Sequence, residues 1–100
     1  MPTEVHTPSA NTAATKTISP GTGRSVKIHS VQWSYDGDPT GGNLLITAGG
    51  TTILSLDITV GGPGQVDFPN KGGGVGEDVV VTLAAGGASV TGKVNIDYDT

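Results

Sequence analysis

Cysteine is absent from this chain of 100 residues, so neither disulfides nor thiolate metal centres hold it together. Charge is scarce: Asp, Glu, Lys and Arg make up 14% of the residues, with five basic against nine acidic and a net charge of −4. That density is too low for a coiled coil or a solvated disordered chain. Five cations leave no basic footprint, so no nucleic-acid partner is expected. No apolar run approaches the ~18 residues a spanning helix needs, and no membrane partner is expected. Helical periodicity is missing too: no stretch of a dozen residues carries the i, i+3, i+4 pattern without a glycine or a turn inside it. The opening Met1-Pro2-Thr3-Glu4 has neither the positive nor the apolar part of a secretion leader, which predicts assembly in a cytoplasm.

What the chain does have is glycine, 17 in all, and short alternating apolar segments. Thr12 to Ile18 reads as a short strand stopped by Ser19-Pro20-Gly21. In the next strand, residues 25–35, Val26 and Ile28 share one phase while Val31, Trp33 and Tyr35 share the other. Either a β-bulge near His29-Ser30 repairs the phase, or the strand is buried on both faces, once in the core and once at a subunit contact. Asn43 to Ala48 and Thr52 to Thr59 alternate on either side of Gly49-Gly50, the strongest hairpin signal in the chain. Gln65 to Phe68 is a short strand, residues 69–76 read as a long loop, and strands over Asp78 to Ala84 and Ser89 to Tyr98 complete the set. Turns every 8–12 residues predict an all-β fold: a small antiparallel β-sandwich or jelly roll of seven to eight strands spanning residues 12–100. Residues 1–11 are polar and without periodicity, which predicts an extended N-terminal arm, either disordered or ordered on a neighbouring subunit. Val5 and His6 are its candidate contacts.

Residues that could carry chemistry are few. His6 and His29 are the two histidines, and no G-x-S-x-G elbow accompanies them, so no catalytic residues and no enzyme activity are expected. Asp36, Asp38 and Asn43 offer oxygen ligands around one loop, yet the twelfth position counted from Asp36 is Thr47 where a calcium loop needs Glu. Asp in a Gly-Pro turn caps that turn, and no metal site is expected. None of the glycine clusters at residues 21–23, 72–74 and 86–87 joins a strand to a helix or precedes Lys-Ser/Thr, so no phosphate cradle and no cofactor is expected. Among the aromatics, Phe68 and Tyr98 fit core faces. Trp33 and Tyr35 share a face just before the Asp36 loop and, with Val31, are the candidate oligomer or ligand contacts, as core, subunit contact or sugar platform.

Two segments carry a resemblance. Val31-Gln32-Trp33-Ser34-Tyr35-Asp36-Gly37-Asp38-Pro39-Thr40-Gly41-Gly42 has the form W-S-Y…P-T-G-G. Val80-Val81-Thr82-Leu83-Ala84-Ala85-Gly86-Gly87-Ala88 runs on through Val90-Thr91-Gly92-Lys93-Val94-Asn95 as V-T-L-A-A-G-G-A…V-T-G-K-x-N. With the turn at Gly62-Pro63-Gly64, they resemble small β-sandwich virion structural proteins of tailed bacteriophages, over roughly residues 24–98. The resemblance implies a capsid decoration (cement) protein: a homo-oligomer, expected as a trimer, that binds the major capsid protein or another virion protein and stabilises the assembled shell by mass action. It would be built in the host cytoplasm and end in the virion. A carbohydrate- or receptor-binding module of a phage tail fibre or baseplate is the other expectation, with the sugar held near Trp33, Tyr35 and the loop from Asp36 to Gly42.

Overall fold

The computed structural model describes residues 3–6 and 11–100, with the side chains of 11–68 and 72–100. Eight strands form in order: β1 (Thr3–His6), β2 (Ala14–Ile18), β3 (Lys27–Tyr35), β4 (Gly42–Ala48), β5 (Thr51–Ile58), β6 (Gly64–Gly72), β7 (Val79–Leu83) and β8 (Gly92–Asp99). They make two four-stranded antiparallel sheets, one ordered β1-β8-β3-β6 and the other β2-β7-β4-β5. The pairing is nested, β1 with β8, β2 with β7, β3 with β6 and β4 with β5. A single long hairpin with its tip between β4 and β5, wrapped into two layers, gives this order, and that is the jelly-roll arrangement. At the tip Gly49 and Gly50 both take positive φ (57° and 83°), as a two-residue hairpin turn with the right twist requires.

The core lies between the sheets. Ile28, Val31, Val94 and Ile96 enter from the first sheet; Leu44, Ile46, Val79, Val81 and Leu83 enter from the second, all fully buried. The β4 pattern alternates strictly, Leu44, Ile46 and Ala48 inward, because its sheet faces the core on one side only. Leu54 and Leu56, opposite Ile46 and Leu44, stay half-buried because β5 is the edge of its sheet. The phase break in β3 is a bulge: Ile28 pairs with Tyr98 and Ser30 with Asp97, leaving His29 unmatched. Tyr35 is closed inside the sandwich, and its hydroxyl donates to the Ala84 carbonyl at 2.7 Å.

Two expectations are corrected. Residues 69–72 continue β6 rather than opening a loop, with Lys71 opposite Ile28 and Gly72 opposite Lys27. Pro69 is tolerated because it falls on an edge strand, in the irregular stretch opposite the bulge, where a ladder N–H is not required. The stretch expected as an arm also contributes to the sheet, since Thr3–His6 pairs with β8 from Thr3↔Asp97 to His6↔Val94. Main-chain pairing asks for no apolar alternation, so a polar segment can cap an open edge without showing a strand pattern. Residues 7–10 of that stretch lie outside the described residues.

Leu83→Ala is expected to cost about 2–5 kcal/mol in urea unfolding, and Leu56→Ala, at the edge, clearly less; equal losses would contradict the burial difference between the two sites. Burial pushes the Tyr35 phenol above its ordinary value, opposed in part by a backbone hydrogen bond from Asn43. The folded state therefore favours the protonated phenol. This contribution is intact below a pH of about 10 and is lost as the pH rises through the folded value. Unfolding free energy measured across that range should fall, and Tyr35→Phe should remove Tyr35's share of the slope while costing about 0.5–1.5 kcal/mol at neutral pH.

Candidate functional site

At the β3 exit the inward phase reaches the end of the sandwich. Val31 (0% exposed) and Tyr35 (3%) are closed within the chain's own core, so neither can be an external contact. Trp33, on the same phase, is only partly covered and packs against the core from its rim. Its register partner on the edge strand is Gly64. A Cβ at Gly64 would lie 2.4 Å from Trp33 Cζ2, so a larger residue there would have to displace the indole.

Trp33 lines two surface grooves. One, of about 340 Å³, is lined by Gln32, Ser34, Gln65 and Asn95 together with Trp33 and Gly64. These polar side chains form a row across the outer face because Gln32 stands in register with both Gln65 on β6 and Asn95 on β8. They are partly fixed: Gln32 Nε2 donates to Gln65 Oε1 (3.3 Å), and Gln65 Nε2 donates to Asp67 Oδ1 (2.7 Å). Beside this row, Ser30 Oγ donates to Asp97 Oδ2 at 2.9 Å. The second groove, also about 340 Å³, runs from Trp33 and Gly64 along the β5–β6 connection, past Asp57, Val60 and Pro63.

The loop carboxylates hold these walls in place. Asp36 Oδ1 accepts from the Thr91 N–H (2.7 Å), while the Asp36 N–H donates to the Thr91 carbonyl (3.0 Å). Asp38 Oδ1 accepts from the Gly61 N–H at 2.9 Å, and the Gly62 N–H donates to the Tyr35 carbonyl at 3.2 Å. The β3–β4 and β5–β6 connections are thus tied to each other and to the end of β3. Asn43, the third oxygen donor of the calcium reading, uses its amide as a donor to Ser55 Oγ (3.3 Å) and Asp57 Oδ1 (3.4 Å). Among the described residues, no group of three or more His, Asp or Glu converges as a metal set. His29 sits at the bulge with Nε2 3.3 Å from Asp99 Oδ2, away from the grooves. The backbones of Val5 and His6 pair with Asn95 and Val94, and their side chains lie outside the described set.

Sequence reasoning singled out Trp33 and missed Gln32, Gln65, Asn95 and the Gly64 opening. Each of the three amides sits on an outward phase, a signal available in the sequence; which strands bring them side by side was not.

Comparison with protein-family models and with curated proteins found no match. Among solved structures the chain is similar to a carbohydrate-binding module, CBM36, in complex with calcium and xylotriose: TM-score 0.54, 17% identity, covering 87% of this chain and 72% of that one. It is also similar to the CBM36-1 domain of a multidomain xylanase from the hindgut metagenome of Trinervitermes trinervoides (TM-score 0.47, 16% identity, 90% and 69% covered). A third similar structure is PirA (TM-score 0.49, 16% identity, 97% and 93% covered). At these identities the likeness is one of fold. The first of them agrees with the antiparallel β-sandwich described above.

The chain's one tryptophan makes the opening at Gly64 directly readable. Gly64→Ala should shift the emission maximum of Trp33 and alter its quenching by iodide, with the β spectrum retained; an unchanged emission would mean the indole does not depend on that opening.

Proposed function

We propose that this chain is a non-catalytic carbohydrate-binding module that holds a glycan against Trp33. The observation that carries the reading is the partly uncovered indole set between two grooves, with Gln32, Gln65 and Asn95 beside it. A sugar ring presents an apolar C–H face and a rim of hydroxyls; an indole face with amides around it matches both. The paired amides Gln32 and Gln65 are already oriented, which lowers the ordering cost of binding. The sandwich neighbour that is a carbohydrate-binding module bound to xylotriose supports the reading at the level of fold. The resemblance to phage proteins would place such a module on a tail fibre or baseplate, where it recognises a host-surface sugar. A shallow surface groove predicts weak binding by each copy, on the order of a millimolar dissociation constant, strengthened by many copies.

A second reading, a trimeric capsid decoration protein, rests on the two resembling segments and on one structural observation: the nested strand order is also that of viral shell domains.

Trp33→Ala should reduce glycan binding at least tenfold by calorimetry or glycan array, and Gln32→Ala, on the outer face away from the core, should weaken it without changing the unfolding midpoint. Binding untouched by both variants would overturn the Trp33 site, and a native chain that retains no glycan but attaches to shells would overturn the carbohydrate reading in favour of the second.

A further inference from the structure

Register sets two polar rows side by side on the first sheet. Asn95, Gln32 and Gln65 make one, and Asp97, Ser30 and Asp67 make the next. An amide has a donor end and an acceptor end, and its partners decide which end points where. Here the deciding partner is Asp67. An ionised carboxylate only accepts. Ser30, its neighbour in register, gives its hydroxyl hydrogen to Asp97 instead. Gln65, two residues back on the same face of β6, donates Nε2 to Asp67 Oδ1 at 2.7 Å, the length of a charge-assisted bond. The other end of that amide, Gln65 Oε1, accepts from Gln32 Nε2 at 3.3 Å. Gln32 Oε1 then has no partner among the described residues. Resting on the carbohydrate reading, we infer that Asp67 is a positioning residue that sets the polarity of the amide row: through Gln65 it holds the carbonyl end of Gln32 available to the groove, so the sugar hydroxyl seated there is a hydrogen-bond donor.

Reversal is opposed at each step. A turned Gln65 would set its oxygen against the carboxylate, and a turned Gln32 would set its oxygen against that of Gln65. The two bonds therefore favour one direction together. Asp67 itself lines neither groove, whereas Gln32 and Gln65 both line the first, so its influence on a ligand passes through them. A charge on β6 also protects an edge strand from pairing with another chain. That role needs no bond to Gln65 and gives Asp67 no effect on what is bound at Gln32.

The test titrates the full chain with methyl glycosides of glucose, galactose, mannose and xylose, and with derivatives in which one hydroxyl is replaced by hydrogen or by fluorine. Fluorine accepts weakly and does not donate. NMR follows binding and reads the side-chain amide protons of Gln32 and Gln65. The hydroxyl seated at Gln32 is the one whose removal costs less affinity in Gln32→Ala than in the native chain. At that position hydrogen and fluorine should each weaken native binding about fivefold. Asp67→Lys puts a donor-only side chain at the head of the row and should reverse both amides. Their proton resonances should shift, and the fluorine derivative should then bind about threefold better than the hydrogen one. In a Gln65→Ala background the same change should leave that ratio as it was, because the connection is cut. Fluorine tolerated by the native chain as well as hydroxyl, amide resonances and ratio unmoved by Asp67→Lys, or a ratio that moves equally without Gln65 would overturn the positioning role while leaving a Trp33-dependent sugar site standing. No binding of any of these sugars, in a chain that is folded, would overturn the carbohydrate reading and the donor assignment with it.

Discussion

One unmatched residue, His29, decides what the outside of this protein is. With a period of two, the strand that buries Ile28 would turn Val31, Trp33 and Tyr35 outward, and a slip of one residue would move that whole set to the wrong face. The bulge absorbs the extra residue between the Ile28 and Ser30 pairings, so Ile28, Val31 and Tyr35 all close into one core. The same phase shift carries Trp33 to the rim and puts Gln32 and Ser34 on the outer face. Core and groove are therefore two results of one backbone irregularity. Bulges bend and twist the strand that bears them, and they are found beside sites for that reason.

The groove also depends on how loops are spent. The β3–β4 and β5–β6 connections are rich in glycine and proline and would be costly to order if left to themselves. Two N–H groups of the second find acceptors across the gap: Asp38 takes that of Gly61 and the Tyr35 carbonyl that of Gly62, while Asp36 takes the N–H of Thr91 from the β7–β8 connection. A carboxylate accepting a backbone N–H makes a stronger bond than a neutral acceptor. The acidic residues of the loop, which in sequence invite a metal, are engaged in tying it to its neighbours: Asp38 to the β5–β6 connection and Asp36 to the β7–β8 connection.

Much of the fold is legible in the residues. Alternation locates β4, β5, β7 and β8, the Gly49-Gly50 pair locates the hairpin, and the conflict between Ile28 and Val31 locates the bulge. Each is a local signal read within about ten residues. Where the sequence misleads, the deciding term is non-local. Pro69 and its glycines look like a loop, yet an edge strand facing a bulge can hold a proline; Thr3–His6 shows no pattern because it is fixed by the open edge of β8. Val31, Trp33 and Tyr35 are alike in phase and differ only in what lies above them in the other layer, so composition cannot tell which one stays uncovered. The row Asn95-Gln32-Gln65 is assembled from three strands by register, and only the nested strand order brings them together.

The residue at position 64 is set by the ring that packs over it. Glycine at the start of a strand gives up side-chain packing and pays extra ordering entropy, roughly 0.5–1 kcal/mol relative to alanine. Beside it stands a large aromatic ring whose burial would contribute to a chain that is short of large apolar side chains. A side chain at 64 would take the space the indole fills, with its Cβ 2.4 Å from Trp33 Cζ2. Glycine therefore lets the ring lie across the edge strand, at a position where Trp33 and Gly64 line both grooves. The entropy that a strand glycine costs is thus offset by the packing of the indole, and that packing fixes Trp33 at the rim, where it lines a groove with the amide row.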